Sequence, residues 1–269
     1  MATSKVVLVT GTSSGIGRAC AEHLASSGHQ VFGSSRKPPP AGESTRMILM
    51  DVTDERSVGE GVRRVIDLAG RIDVVVNNAG MGYFGPVEET SLEEAQRQFD
   101  VNFFGVLRVC RAILPIFRRQ GAGLIINVSS IGGVIGLPFE GLYSASKFAL
   151  EGLSEALRVE VRRFGIGVVL VEPGDIRTDF SKNRLQTLES RKESAYQTSL
   201  ETVLEVFKKD EERAPSPECV ARLVGRILEM RSPAPRYRVG RVLHRWAAGV
   251  KGMLPGRVFE AVLRSSYHL

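Results

Sequence analysis

Short apolar runs rich in Val and Ile alternate along the 269-residue chain with longer stretches in which apolar residues return every three to four positions. A run of the first kind, bounded by polar or Gly-rich sequence, predicts a strand buried on both faces; the second kind predicts a helix that covers it. Strands are expected at about 5–10, 30–35, 46–51, 72–77, 123–129 and 166–172, and helices near 15–27, 55–69, 91–118 and 143–164. That order, with no second repeating unit, predicts one α/β domain over 1–269: a doubly wound parallel sheet with helices on both faces. Pro38-Pro39-Pro40 marks an exposed connection after the second strand. Beyond residue 174 the alternation stops. Residues 178–210 read as helical, with Phe180, Leu185, Leu188, Tyr196, Leu200, Leu204 and Phe207 scattered among charges. Two readings stand, a substrate lid over 176–215 or a helical hairpin packed on the sheet, because a lid also buries its apolar side when closed. A further helix near 216–230 follows Pro215-Ser216-Pro217, and Tyr237-Arg238-Val239 adds an edge strand, the seventh.

Composition narrows the class. The 43% hydrophobic and 25% charged fractions are those of a globular domain, and no apolar run approaches the roughly 18 to 20 residues that span a bilayer, so a soluble, cytoplasmic chain is expected. The N-terminus passes straight into Val6-Val7-Leu8-Val9 and then Gly-rich sequence, which predicts no secretory leader. Cys20, Cys110 and Cys219 form no paired motif, and His23, His29, His244 and His268 fall in no ligand spacing, so neither a disulfide framework nor a metal site is expected. Net charge is +6, but residues 236–269 carry seven Lys/Arg against Glu260 alone, and the rest of the chain balances at 29 against 29. The body therefore has no excess charge for a polyanion, and nucleic acid is not an expected partner. In the basic tail, Val242, Leu243, Trp246, Ala247, Val250 and Leu254 recur at helical spacing among Arg241, Arg245 and Lys251. Such a helix either lies on an anionic membrane surface or docks its apolar side on the enzyme body or a sister subunit.

Candidate chemistry clusters where strands end. The first strand runs into Thr10-Gly11-Thr12-Ser13-Ser14-Gly15-Ile16-Gly17, after which helical spacing begins. Glycines at a strand-to-helix junction let backbone N–H groups and the helix dipole approach a pyrophosphate. The second strand closes on Gly33-Ser34-Ser35-Arg36-Lys37, without the acid that accepts from a ribose 2′-hydroxyl in NAD sites. Arg36, with Ser35 and Lys37 in support, suits a 2′-phosphate, which favours NADP(H); the alternative is a solvated loop charge. Asp51-Val52 closes the third strand, where the carboxylate either meets an adenine amino group or forms a turn. Asn77-Asn78-Ala79-Gly80 follows the fourth, at the carboxyl end of the sheet where ligands bind in this architecture. Tyr143-Ser144-Ala145-Ser146-Lys147 opens a helix on which Tyr143 and Lys147 share one face. An ammonium beside a phenol favours the phenolate; bringing a tyrosine from its usual ~10 toward neutrality takes about 4 kcal/mol of differential stabilisation.

Taken in order, Thr10-Gly11-x-x-x-Gly15-x-Gly17, Asn77-Asn78-Ala79-Gly80, Asn102, Ser130, Tyr143-x-x-x-Lys147 and Pro173-Gly174 resemble the short-chain dehydrogenase/reductase family over about residues 5–230. The resemblance implies a Rossmann fold with a cofactor-binding and catalytic core over 1–175. It implies Tyr143 as acid/base, Lys147 as the group that lowers its pKa and holds the nicotinamide ribose, Ser130 as donor to the substrate oxygen, and Asn102 as the holder of a water linking the lysine to solvent. Ser130 stands thirteen residues before Tyr143, the family's spacing, whereas Ser129 points to the other side of an extended strand. The implied cofactor contacts are Gly11, Ser13, Ser14, Gly15, Ile16, Gly17, Ser35, Arg36, Asp51, Val52, Asn78, Ala79, Gly80, Tyr143 and Lys147, with Pro173, Gly174, Ile176 and Thr178 near the carboxamide.

The implied reaction is hydride transfer between nicotinamide and a carbonyl or alcohol. Met81, Tyr83, Phe84, Ile131, Val134, Ile135, Leu137, Phe139 and Leu142 predict an apolar pocket. The stretches Ile131-Gly132-Gly133 to Leu137-Pro138-Phe139 and Phe148-Ala149-Leu150-Glu151-Gly152 most resemble the 17β-hydroxysteroid and retinol dehydrogenase branch, implying a steroid, retinoid or lipid substrate. Family resemblance also implies a homo-oligomer, paired through the helices at 91–118 and 143–164. Two other readings are a 3-oxoacyl-thioester reductase of lipid synthesis and a cofactor-sensing regulator; the latter has no need of Asn102, Ser130, Tyr143 and Lys147 together.

Overall fold

The fold is taken from a computed structural model, which describes residues 4–37, 46–178, 185–189, 194–240, 249 and 251–269. Seven parallel strands form the sheet in the order β3-β2-β1-β4-β6-β7-β9. They are β1 (Val6–Thr10), β2 (Gln30–Ser35), β3 (Arg46–Leu49), β4 (Val74–Asn77), β6 (Gly123–Val128), β7 (Ile166–Pro173) and β9 (Arg236–Val239). All six predicted strands and the predicted edge strand are present. In β1 the apolar run serves both faces: Leu8 joins the core under α2 (Glu55–Ala69), α4 (Gly105–Gln120) and α5 (Gly141–Val161), while Val7 and Val9 face α1 (Gly15–Ser26) and α7 (Glu218–Glu229). Both faces are therefore dry, as a parallel sheet between crossover helices requires.

Local chemistry sets the element ends. Asp54 caps α2 by accepting from the Arg56 and Ser57 N–H groups, and Gly70, at φ 75°, closes it. Ser91 and Glu94 form a reciprocal capping box at the start of α3 (Leu92–Phe99).

Two elements differ from the sequence reading. The single helix expected over 91–118 is interrupted by a π-helical turn, Asp100–Phe104, between α3 and α4. The side chain of Asn102 on that turn holds the backbone of Met81, a contact outside the helix that periodicity does not register. Second, the stretch 178–210 is not helical throughout. Leu185–Gln186 forms β8, paired in parallel with β5 (Tyr83–Phe84), and the helix α6 spans Gln197–Glu212. Phe84, Leu200, Val203 and Phe207 form a separate apolar cluster there. The amphipathic spacing expected for the tail falls largely on Val242, Leu243, Trp246, Ala247 and Val250, which lie outside the described residues, as do Arg241, Arg245, Phe180 and Pro38-Pro39-Pro40.

The described part of the tail lies against the body. Lys251 Nζ donates to the Val134 carbonyl at 2.8 Å and sits 4.8 Å from the centroid of the Phe148 ring. Helix α8 (Gly256–Ser266) then brings the Tyr267 ring within 5.4 Å of Phe207 on α6. No described helix is long and apolar enough to cross a membrane.

Candidate active site

At the carboxyl end of β1 the chain turns through Gly11, whose φ of 70° favours glycine. A Cβ on Gly17 would come within 2.3 Å of both the Asn78 side-chain nitrogen and the Gly11 carbonyl oxygen, so this turn can seat against β4 only without one. Thr10 fastens the two strand ends together. Its Oγ1 accepts from the N–H groups of Asn78 and Ala79 at 2.9 and 3.0 Å, and Asn78 Nδ2 donates to the Thr10 and Gly11 carbonyls. The twelve-residue α1 then begins with no side-chain cap from Ser14 and no acid in its first turn. Ser13 and Ser14 are exposed beside it, and Ile16 is half-buried. An uncapped helix N-terminus reached over glycine fits the pyrophosphate of a dinucleotide.

The remaining predicted cofactor residues surround this turn or the strand ends beside it. Gly15 faces Thr178, to which a Cβ would stand at 3.4 Å. Gly174 is held at the end of β7 by donating its N–H to the Val239 carbonyl at 2.8 Å, and Pro173 and Ile176 are buried beside it. At the end of β2, Ser35 Oγ accepts from the Lys37 N–H, and Arg36 and Lys37 are exposed. Of the two readings of Asp51, the turn is present: Oδ1 accepts from the N–H and hydroxyl of Thr53 at 2.9 and 2.8 Å. Val52 is buried against Gly105 of α4.

The second cluster lies at the end of β6 and the start of α5. Ser130 caps a short 3₁₀ turn, Ile131–Gly133, with Oγ accepting from the Gly132 N–H at 3.0 Å. A Cβ on Gly132 would stand 3.2 Å from the Tyr143 ring and 3.4 Å from Ser130 Oγ, so bare glycine lets the two side chains flank one spot. Ser129 is turned away and buried, as the alternation of an extended chain requires. One turn of α5 beyond Tyr143, Lys147 is buried, with Nζ donating to the Val128 carbonyl at 3.0 Å and lying 5.9 Å from the Tyr143 ring centroid. Burial pulls Lys147 down to about 8, against the upward push of Glu151. Asn102 Oδ1 accepts from the Met81 N–H at 2.9 Å, and Nδ2 donates to the Met81 carbonyl and to Ser146 Oγ. Gly80 completes the wall: its missing Cβ would stand 3.4 Å from Asn102 Oδ1 and 3.8 Å from Lys147 Nζ.

The four residues singled out for catalysis are thus drawn from α5, the β6 terminus and the π turn. Lys147 abuts the Tyr143 ring, Gly132 joins Tyr143 to Ser130, and Gly80 joins Lys147 to Asn102. Residues beyond that set support them. Asn77 Nδ2 donates to Asn127 Oδ1 at 2.9 Å, Asn127 Nδ2 to Ser154 Oγ at 2.8 Å, and Ser154 to the Leu150 carbonyl, a buried polar chain fixing β4, β6 and α5 to one another. The clue was Asn127 inside Leu-Ile-Ile-Asn-Val, since a polar side chain in a strand buried on both faces needs a partner. A cavity of about 1030 Å³ runs from Gly15 and Thr178 past Phe84 and Leu204 toward Phe207, connecting the glycine turn with the face of α6.

Sheet topology and site together define a dinucleotide-dependent oxidoreductase. The family model described as short chain dehydrogenase matches residues 5–189, and the chain belongs to that family. It is 41% identical over 263 residues to a 3-ketodihydrosphingosine reductase of Bacteroides thetaiotaomicron, covering 98% of each chain. It is 36% identical over 259 residues to 17-beta-hydroxysteroid dehydrogenase type 1 of Homo sapiens, covering 87% of this chain and 76% of that one. A solved short-chain dehydrogenase from Streptomyces avermitilis matches with a TM-score of 0.82 at 32% identity, covering 98% of this chain and 99% of that one.

Proposed function

We propose that this enzyme is an NADP(H)-dependent reductase of long-chain lipid ketones, with a 3-ketosphingoid base as its leading substrate. The observation that carries this choice over a steroid or retinoid is the likeness, across 98% of both chains, to a 3-ketodihydrosphingosine reductase. The aromatic cluster of Phe84, Phe139 and Phe207 adds an apolar wall suited to an alkyl chain. Arg36 and the absence of an acid at the end of β2 support NADP(H) over NAD(H).

When bound over the strand ends, nicotinamide supplies the hydride. Tyr143 gives its hydroxyl proton to the ketone oxygen, and Ser130 donates a hydrogen bond to the charge developing there. Lys147 carries its charge one helical turn away, where it stabilises the phenolate left behind. Asn102 holds the Met81 backbone and Ser146 so that the wall beside Lys147 keeps its shape. The glycine turn, with Ser13, Ser14 and Ile16, holds the pyrophosphate; Asn78, Ala79 and Gly80 line the ribose side, and Pro173, Gly174, Ile176 and Thr178 the carboxamide. Residues 176–215 act as the substrate lid. Contacts of Lys251 and Tyr267 support a tail docked on the body rather than laid on a membrane. Pairing of two copies through the stretches 91–118 and 143–164 is supported by the exposure of Phe104, on the π turn, and of Val159, on α5.

The test is a panel of 3-ketosphingoid, steroid and 3-oxoacyl-thioester ketones followed by nicotinamide absorbance, for the native chain and Tyr143→Phe. The sphingoid ketone is expected to turn over fastest, and Tyr143→Phe to lose turnover while binding NADPH nearly as before. Preference for the acyl thioester would select a fatty-chain reductase, and more than a few per cent of native activity in Tyr143→Phe would remove that residue from its role.

A further inference from the structure

Helix α5 does not stop serving the site at Lys147. Tyr143, Lys147, Glu151 and Glu155 follow one another at intervals of four down a single face. Glu151 is 6% exposed, an unusual place for a carboxylate that the catalytic scheme leaves without a role. Opposite it stands Arg236 of the edge strand β9, with NH1 at 2.9 Å from Glu151 Oε2 and 3.0 Å from Glu172 Oε1, and with NH2 on Glu155. Glu172, on β7 and wholly buried, is held on its second oxygen by Arg238 Nε at 2.9 Å. The hydroxyl of Ser129 completes the surroundings: a Cβ on Gly133 would touch both Ser129 Oγ and Glu151 Cγ.

We propose that Glu151, fixed by Arg236, is a positioning residue for the reduction: its carboxylate, one turn beneath Lys147, keeps that ammonium charged and so keeps the Tyr143–Lys147 pair in its proton-donating form. The inference rests on the assignment of Tyr143 and Lys147 made above. Groups facing Glu151 are Lys147, Glu155 and Arg158 on its own helix, Glu172 on β7 and Arg236 on β9. Burial pushes Glu151 up to about 7, reinforced by Glu172 and Glu155 and opposed by Ser129 and Arg236. Lys147 loses its proton near 8. The carboxylate is therefore mostly charged at alkaline pH, where Lys147 gives up its proton, and mostly protonated at pH 6, where Lys147 keeps its proton without help.

The sign of the effect follows from charge alone. Removing a negative charge makes the Tyr143–Lys147 pair surrender its first proton more readily, so reduction fails at a lower pH. The experiment is the pH profile of kcat for ketone reduction at saturating NADPH in the full chain, for native enzyme, Glu151→Gln, Glu151→Asp and Glu155→Gln. In Glu151→Gln the alkaline limb is expected about one pH unit lower, a loss of about tenfold at pH 9, with native activity at pH 6 because the native carboxyl is itself protonated there. Glu151→Asp, which keeps the charge further from Lys147, is expected between the two, and gives the same reading if the glutamine variant does not fold. Glu155→Gln, exposed and two turns from Lys147, is expected to follow the native profile. An unmoved limb, a loss equal at every pH, or an equal shift in Glu155→Gln would each overturn the proposal. Activity in Tyr143→Phe would instead overturn the reading it rests on, so the two failures are distinguishable.

Discussion

Arg36 is the residue on which the proposed preference for NADP(H) rests. It is exposed at the carboxyl end of β2, and Ser35 and Lys37 close the turn on either side of it. A guanidinium there makes charge-assisted hydrogen bonds to a 2′-phosphate, worth roughly 1.5 to 3 kcal/mol. Reversing the charge in Arg36→Glu is therefore expected to lower kcat/KM for NADPH by about 10- to 100-fold while NADH use holds or improves. Parallel assays with the two cofactors check this, and an unchanged preference would make Arg36 a solvated loop charge. At this scale the clustering of the candidate site was legible, because Tyr143 with Lys147, the glycines and Ser130 each suit a chemistry with few substitutes. Asp51 was legible only as two alternatives, and its turn with Thr53 became visible once the backbone was placed. Glu151 was not legible at all: an acid four residues after a lysine reads as a surface pair until Arg236, 85 positions away in sequence, is found against it.

At the scale of elements, the π turn at Asp100–Phe104 shows why a long helical period is not the same as a long helix. Apolar spacing runs through both α3 and α4, and the interruption follows from Asn102 making three hydrogen bonds to Met81 and Ser146. A turn of this kind is costly in isolation and persists where a side chain is needed in a set place. Asn102→Ala would strand the Met81 backbone N–H and carbonyl in a partly buried setting. The expected loss is about 2 to 4 kcal/mol in urea unfolding, with a fall in turnover as the wall beside Lys147 loosens. A variant of native stability would show that packing alone holds the turn. The β5–β8 pair is a second element missed from the sequence. Two residues a side are too few for any period, and their partners lie about a hundred positions apart.

For the molecule as a whole, one line of aromatic contacts joins four parts of the chain that the sequence presents separately. Tyr267 from the tail packs on Phe207 of α6, Phe207 meets Phe84 edge-on at 5.8 Å, and Phe84 lies 6.0 Å from Phe139 in the loop before α5. The tail thus rests on α6, the helix assigned to the proposed lid. Tyr267→Ala removes a ring pair worth about 0.5 to 1.5 kcal/mol beyond its buried area. KM for a long-chain ketone is expected to rise about 3- to 10-fold, and kcat for a short ketone that does not reach the aromatic wall to stay as it was. Equal effects on both ketones would mean that the tail acts on stability rather than on the lid.

By itself the sequence determined the strands and covering helices of the parallel sheet, because burial on two faces or on one stripe writes a period into any short window. It determined which candidate residues gather at the strand ends, because glycine, a Tyr/Lys pair and a basic strand terminus each suit a local requirement. Only tertiary structure decided the π turn, the β5–β8 pair, the seat of the tail and the ion cluster beneath Lys147. Each of these is fixed by partners tens of residues or more away, and the energy that selects them exists only once the chain has brought those partners into contact.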